Sequence, residues 1–571
     1  MTVGQHATSP ASNERGHPAL VPLAWCLAAV YLATAALVMW RAPRVPYADG
    51  WRFLGHFTRE PFWKGVLMTD NGHFEMFPNL VRVMEMHVSS ADQSLQVIVG
   101  MVLFAATLAT VWQWLKALPA RPTRAAAMLV VVIGLCWMGN VRALAHANES
   151  VHAYAVTLAL VLGIGALSRD RRPLAVDALL AVLCGLVATT SFGSGIACFP
   201  AFLVVACLRR ATWPAIAILL GGSVSAYLLL RLAGAGGAPG HVPLHAADTV
   251  LRWLGAPWLY AIWPAVDPAI AGQVPGGFPR SFALSLANAW EAAFGPATLA
   301  RWPQAAFGGG GIMLLVVLTW RSFRGLHATR PRMLGIGLAW FAMAVAVMVA
   351  VVRASYFEQY PAQLVALRYV VWSSLFWCGL GLALVAGATR PGRALSIVLA
   401  VGGLLLPSQA WMLRIAESMR GVSAQTAVAA AVGVLDPGLH TGETVPAELA
   451  RALPSLREAG VAVFAWPETA LLGAPIPEGL PGVALRDVVV VPVDNQLGAT
   501  GRRIQAHASD TSRERLLLVD DEGIVRGLAI RDPASGADAW IGWMAGAVPH
   551  GTPRALELPR HWAGSVSTRD E

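Results

Sequence analysis

Eleven apolar runs, most of them close to the length at which a helix crosses a bilayer, govern what this chain can fold into. A spanning helix needs roughly 20 apolar residues to cover the hydrocarbon core. Such runs fall near 20–40, 93–115, 125–139, 151–168, 174–190, 195–208, 214–231, 306–320, 333–352, 369–387 and 394–412. Only 13% of the residues are charged and the mean hydropathy is +0.55, whereas soluble domains carry about 25% charge. The expected fold class is a polytopic α-helical membrane protein with about 11 transmembrane helices. The first run is too long, and lacks the small-residue cleavage pattern, for a removable signal peptide. It reads as a retained helix behind a flexible cytoplasmic tail, 1–18.

Arginine and lysine sort the connecting loops into two sets. With the N-terminus in the cytoplasm, the short inner loops hold Lys116, Arg121, Arg124, Arg169, Arg171, Arg172, Arg209, Arg210, Arg321, Arg324, Arg330, Arg332, Arg390 and Arg393, with Asp170 as their one acid. Cytoplasmic loops collect such cations. The loops at 41–92 and 232–305, and everything beyond 412, are then expected outside. The net charge of +9 is accordingly a topology signal, and no nucleic-acid partner is expected. All six cysteines lie within or beside the spans, which argues against a disulfide framework and shows no zinc spacing.

Two segments outside the spans have their own character. The 232–305 loop carries Trp253, Trp258 and Trp263 with Pro257 and Pro264 and reads as an interfacial or re-entrant segment, because tryptophan favours the headgroup level. Residues 413–571 read as an extracytoplasmic mixed α/β, mostly β, domain beyond the 19–412 membrane part, and its stretch from about 430 to 571 is expected to fold apart from that part. In it PAELARALPSLREAG is an amphipathic helix, VAVFAW (461–466) a strand, and DVVVVPV, ERLLLVDD, IVRGLAI and AWIGWMA further strands. The Asp520 to Gly523 stretch reads as a tight hairpin turn, lacking calcium-loop spacing.

Acidic and aromatic residues cluster in the first outer loop, in PYADGW with Asp49 and in DNGHFEMFPNL with Asp70, His73 and Glu75. Carboxylates held near hydrocarbon are usually kept for binding, proton transfer or catalysis. Glu149 in the outer loop NESVHAY, beside His146 and His152, is a further acid on the same side. Arg353 and Arg368-Tyr369 bracket a short outer loop. Plainer readings exist for each: Asp49 as a helix cap, the two arginines as snorkelling anchors, His73 and Glu75 as solvated loop residues, Ser191 to Gly195 as a tight interhelical turn.

In order and sidedness these features resemble the GT-C class of integral membrane glycosyltransferases, and several segments resemble poorly characterised bacterial membrane proteins of that type. The matching residues are Asp49-Gly50-Trp51, then Asn71-Gly72-His73-Phe74-Glu75 through Pro78, the hairpin Thr190-Ser191-Phe192-Gly193-Ser194-Gly195, and Arg353 with Arg368-Tyr369. Gly72 and Phe74 stand where the family pattern has an acid and a base. The resemblance implies a GT-C-like fold, a polyprenyl-phosphate-linked sugar donor, a glycan or lipid acceptor in the cell envelope, contact with membrane lipid, and a place in the bacterial inner (cytoplasmic) membrane with the C-terminal domain periplasmic or extracellular. For such a transfer Asp49 is the candidate catalytic base, and Asp70, His73, Glu75, Glu149, Arg353, Arg368 and Tyr369 are the candidate substrate-binding residues. No cofactor is assigned with certainty, and a divalent metal ion stays open, with Asp70 or Glu75 as helper ligands to Asp49. Two other classes stay open: a transporter or flippase, with Asp177 as the main charge inside a span, and a non-catalytic membrane protein whose C-terminal domain binds carbohydrate or a partner.

Overall fold

The computed structural model describes residues 19–559 apart from 71, 170, 236–245, 273–276, 326–328, 440–442, 496, 498–499, 509–512, 533–534 and 547–552. The tail at 1–18, Asn71 and Asp170 thus lie outside the described residues. All eleven apolar runs are helical. Among the described residues eight helices are long and apolar enough to cross a membrane: Leu20–Trp40, Ser94–Leu115, Arg121–Ala145, Ala147–Leu167, Trp213–Leu232, Arg301–Phe323, Arg330–Val352 and Leu367–Ala386. Pro391–Leu404 and Leu406–Val432 make a ninth if counted as one span bent by 42°, and Ala175–Thr189 and Gly193–Leu208 are shorter apolar helices.

The Arg121–Ala145 span is broken at a 3-10 turn, Met138–Asn140, and the freed backbone is satisfied by the bent pair. Gln409 accepts from the Met138 N–H at 2.7 Å, and Trp137 Nε1 donates to Ser408 at 2.9 Å. Irregular backbone at such depth survives only where protein groups satisfy it. In the 232–305 loop, the Ala246–Ala261 helix lies against the bundle with Trp253 and Leu254 buried. It is pinned where Trp377 Nε1 donates to the Leu254 carbonyl and the Tyr260 hydroxyl to that of Val365, at 2.8 and 2.6 Å.

Two short strands, β1 (Thr69–Asp70) and β2 (His73–Phe74), make a hairpin in the first loop. The remaining strands are β3 (Gly482–Val483), β4 (Arg486–Val493), β5 (Gly501–His507), β6 (Arg515–Val519), β7 (Val525–Arg531), β8 (Ala539–Ala545) and β9 (Arg554–Leu556). They form one antiparallel sheet in the order β3-β9-β6-β7-β8-β5-β4. Successive side chains on a strand point to opposite faces. In β6, Leu517 and Val519 therefore join the core beneath the Leu406–Val432 helix, while Leu516 and Leu518 pack with Ile504, Trp540 and Met544 on the other face.

The expected strand in VAVFAW is instead a 3-10 turn, Ala462–Ala465. Ala462 takes φ of +55°, and its N–H donates to the Ser90 carbonyl of the first loop at 2.7 Å, so the extended run is broken and its hydrogen bond leaves the sheet. The Asp520 turn is as expected: its carboxylate accepts from the Glu522 and Ile524 N–H groups at 3.0 and 2.8 Å and pairs with Arg526.

The sheet domain and the first loop share a single apolar core. Trp51, Phe53, Leu54 and Phe57, from the Gly50–Phe57 helix, pack with Ala427 to Val432, Leu449, Leu453, Leu517 and Trp543. The Gly50–Phe57 and Pro446–Ala459 helices touch at Gly55, where an added Cβ would lie 2.6 Å from Ala452 Cβ and 2.9 Å from its Cα. This contact brings the acids of the first loop against the C-terminal domain.

Candidate functional site

Asp49 stands at the N-terminal boundary of the Gly50–Phe57 helix, yet its side chain makes no capping hydrogen bond. Instead it faces Arg52, one turn on, at 3.4 Å. The Arg52 guanidinium is a hub. Its Nη2 lies 2.7 Å from Asp70, and its Nη1 donates to both oxygens of Glu448 at 2.9 Å. Three carboxylates from the loop helix, the β1–β2 hairpin and the C-terminal domain thus converge on one cation. Although 45% of the Asp49 side chain is accessible, desolvation by its surroundings is the largest influence on its carboxyl and raises its pKa. Arg52 and Arg142 pull the other way, Glu149 and Glu448 add to the rise, and the net pKa is raised. The Asp70 carboxyl is raised too, by burial first, with Arg52 opposing.

A second hub is Arg142. It pairs with Glu149 at 3.4 Å and with Glu443 at 2.8 Å, and its guanidinium lies 5.2 Å from the Tyr47 ring. Glu149, expected in a loop, belongs to the first turn of the Ala147–Leu167 helix. An acid there complements the helix dipole, and apolar residues follow at once, so the helix starts earlier than the NESVHAY run implied. Its other oxygen meets His152 Nε2 at 2.9 Å.

His73 and Glu75 are turned inward. Glu75 is 5% exposed and pairs with the equally buried Arg82 at 2.7 Å, while Asn79 and Asn148 take the other guanidinium hydrogens. Burial would raise the Glu75 carboxyl, but Arg82, His152 and His73 outweigh it and hold it low. The His73 ring stacks on Phe192 at 4.4 Å, and His152 stacks on the same ring at 4.3 Å. The Ser191 to Gly195 stretch, which runs into a 3-10 helix at Gly193–Ala197, therefore carries the ring on which both histidines stack as well as making a turn. Gly193 is required there, since a Cβ would fall 2.3 Å from His73 Nδ1. Burial drives the His73 pKa down to about 4, with the Arg353 charge adding to the fall and Glu75 opposing it.

Arg353 closes the Arg330–Val352 helix and precedes the short Ala354–Gln359 helix. Arg368 donates to the Tyr356 hydroxyl at 3.1 Å, and its guanidinium lies 5.7 and 5.1 Å from the Tyr356 and Tyr369 rings. Tyr356 sits in that short helix, so the two arginines and Tyr369 occupy one corner, and the charge of Arg353 reaches His73. Asp177, the intramembrane acid weighed for transport, sits at the start of the Ala175–Thr189 helix, paired with Arg169 and Arg171 at 2.8 and 2.7 Å and accepting from the Leu174 N–H. That is a helix-end anchor.

Arg52 and Arg82 were missed in the sequence, although each lies one or two helical turns from an acid that had been singled out. Glu448, 396 positions from Arg52, leaves no local signal at all. Among the described residues no group of three or more His, Cys, Asp or Glu is disposed to hold a metal ion. Asp49, Asp70 and Glu448 do converge, but the Arg52 guanidinium already stands between them where a divalent cation would have to sit. With Arg52 paired to all three, these carboxylates do not fit a resident metal.

No protein-family model and no curated protein matches this chain. The crystal structure of ArnT from Cupriavidus metallidurans bound to undecaprenyl phosphate is similar over 79% of this chain and 89% of that chain, at 13% identity. The TM-score is 0.28, too low to equate the two folds.

Proposed function

We propose that the chain is a GT-C-class glycosyltransferase that moves a sugar from a polyprenyl-phosphate donor to a cell-envelope glycan or lipid acceptor at the outer face of the bacterial inner membrane. The observation that carries this reading is Asp49: an accessible carboxylate with a raised pKa, at the meeting point of the first loop, the helical bundle and the C-terminal domain. A general base works best with a pKa drawn toward the working pH and with room for the acceptor hydroxyl.

In this reading Asp49 takes the acceptor proton as the acceptor oxygen bonds to the anomeric carbon and the bond from that carbon to the phosphate oxygen breaks. The departing phosphate takes the bond's electrons. Arg353 and Arg368 stabilise it, since a guanidinium matches phosphate oxygens with paired hydrogen bonds. Arg52 keeps Asp49 and Asp70 in place, and no metal-dependent step is needed.

Asp49→Asn tests the reading, because it keeps size and hydrogen bonding while removing basicity. In membranes supplied with a polyprenyl-phosphate sugar, transfer should fall by about 10²-fold or more with donor binding retained. Near-normal turnover would remove Asp49 as the base and shift the role to Glu149.

A further inference from the structure

The C-terminal domain holds a cavity of about 520 Å³ that takes no part in the Asp49 site. Its walls come from four places: the end of the Leu406–Val432 helix, Arg457, the Phe464 to Gly473 segment, and the adjoining ends of β7 and β8. The volume falls within the roughly 300–1,000 Å³ of small-ligand sites. Arg457 lies on the same helix as Glu448 but nine residues on, and at 100° per residue that places it on the opposite helix face. An occupant would therefore not touch the Arg52 hub.

The lining is mixed in a specific way. Val432, Phe464, Leu472 and Val525 give apolar wall. Arg457 supplies donors: its guanidinium lies 5.0 Å from the Phe464 ring centroid, and it forms no ion pair among the described residues. Arg526, by contrast, is taken up by Asp520 and Glu522. Acceptors come from the helix end. The helix stops at Gly433 in the left-handed conformation, and the N–H groups of Gly433 and Val434 return to the Ala430 and Ala429 carbonyls. The Leu435 N–H, which would have reached Ala431, goes to Asn495. The Ala431 and Val432 carbonyls, like others at a helix end, thus have no donor among the described residues and can accept from a ligand in the cavity they line. The Thr469 hydroxyl spends its proton on the Trp466 carbonyl at 2.6 Å, so its oxygen also remains an acceptor.

A ligand that fits must present apolar faces together with edges that both donate and accept hydrogen bonds. Ring polyols have that character, since each hydroxyl donates once and accepts through two lone pairs. A phosphate or carboxylate would meet Arg457 well but would face two carbonyls at the negative end of a helix dipole. We propose that this cavity binds a neutral sugar unit of a short oligosaccharide, as a glycan-docking subsite separate from the Asp49 centre. The proposal extends the glycan acceptor of the proposed function, but binding is read without turnover, so either can fail alone.

The test uses the full-length chain in detergent, fluorescently labelled, on an array of neutral and acidic envelope-type oligosaccharides. Wild-type protein should retain at least one neutral oligosaccharide. Arg457→Ala should weaken that binding by about tenfold or more, as loss of hydrogen bonds from a charged donor does. Ala470→Trp, which fills the cavity without removing a polar group, should abolish it. Asp49→Asn should leave it unchanged. Size-exclusion profiles and melting curves establish that each variant is folded, and Ala470→Trp decides the matter if Arg457→Ala is not. The proposal is overturned if no oligosaccharide binds, if only acidic ones do, or if binding survives a folded Ala470→Trp.

Discussion

At the scale of single residues the site is organised by arginines more than by the acids that drew attention in the sequence. Arg52 gathers Asp49, Asp70 and Glu448, and Arg142 gathers Glu149 and Glu443. The charge of Glu448 helps hold the Asp49 pKa up, which gives a signed prediction. A base must be deprotonated, so activity is lost as pH falls through the Asp49 pKa. Glu448→Gln removes a negative neighbour and frees Arg52 for Asp49; both lower that pKa, and the acid limb of the pH–rate profile should move to lower pH. An unmoved limb would separate Glu448 from the chemistry. Arg368→Lys keeps charge but loses the planar fork that rests on Tyr356 and Tyr369. It should raise the KM for donor by about tenfold with little change in melting temperature. A large melting shift at unchanged KM would make Arg368 an anchor only.

At the scale of elements, the docking of the Gly50–Phe57 helix on the Pro446–Ala459 helix decides where the acids sit. Backbone atoms cannot yield as side-chain ends can, so Gly55→Val, meeting Ala452 Cβ and Cα, should cost about 1–3 kcal/mol. A thermal-shift assay should show the loss, and activity should fall with it because Asp49 and Glu448 are pushed apart. Unchanged stability would rule out this contact between the two helices. Legibility in the sequence followed local pattern closely at this scale. The strands made of short apolar runs between turn signals, β4, β6, β7 and β8, are readable, whereas β5, sequence GRRIQAH, is not, because its charged and polar residues break the run. The VAVFAW run has strand composition, but a hydrogen bond to a loop far away in the chain turned it into a 3-10 turn.

At the scale of the whole molecule, the first loop and the sheet domain lie together and must therefore be on the same side of the membrane. From arginine placement that side is expected to be the outside. A phosphatase reporter fused after Gly433 should therefore be active, and one fused after Arg171 inactive; the reverse pattern would invert the orientation and with it the proposed donor side. By itself the sequence determined the membrane class, the positions of the apolar helices, the expected sidedness and the presence of a β-rich C-terminal part. Hydrophobic length, charge bias and short apolar runs between turn residues are local or summed properties that survive without knowledge of contacts. Only the tertiary structure decided that Asp49 meets Glu448, that Glu75 turns inward to Arg82 while Asp49 stays accessible, and that Phe192 is held between two histidines. Those outcomes depend on which desolvated charge finds which partner across hundreds of residues, and in a low-dielectric setting each buried charge must find one.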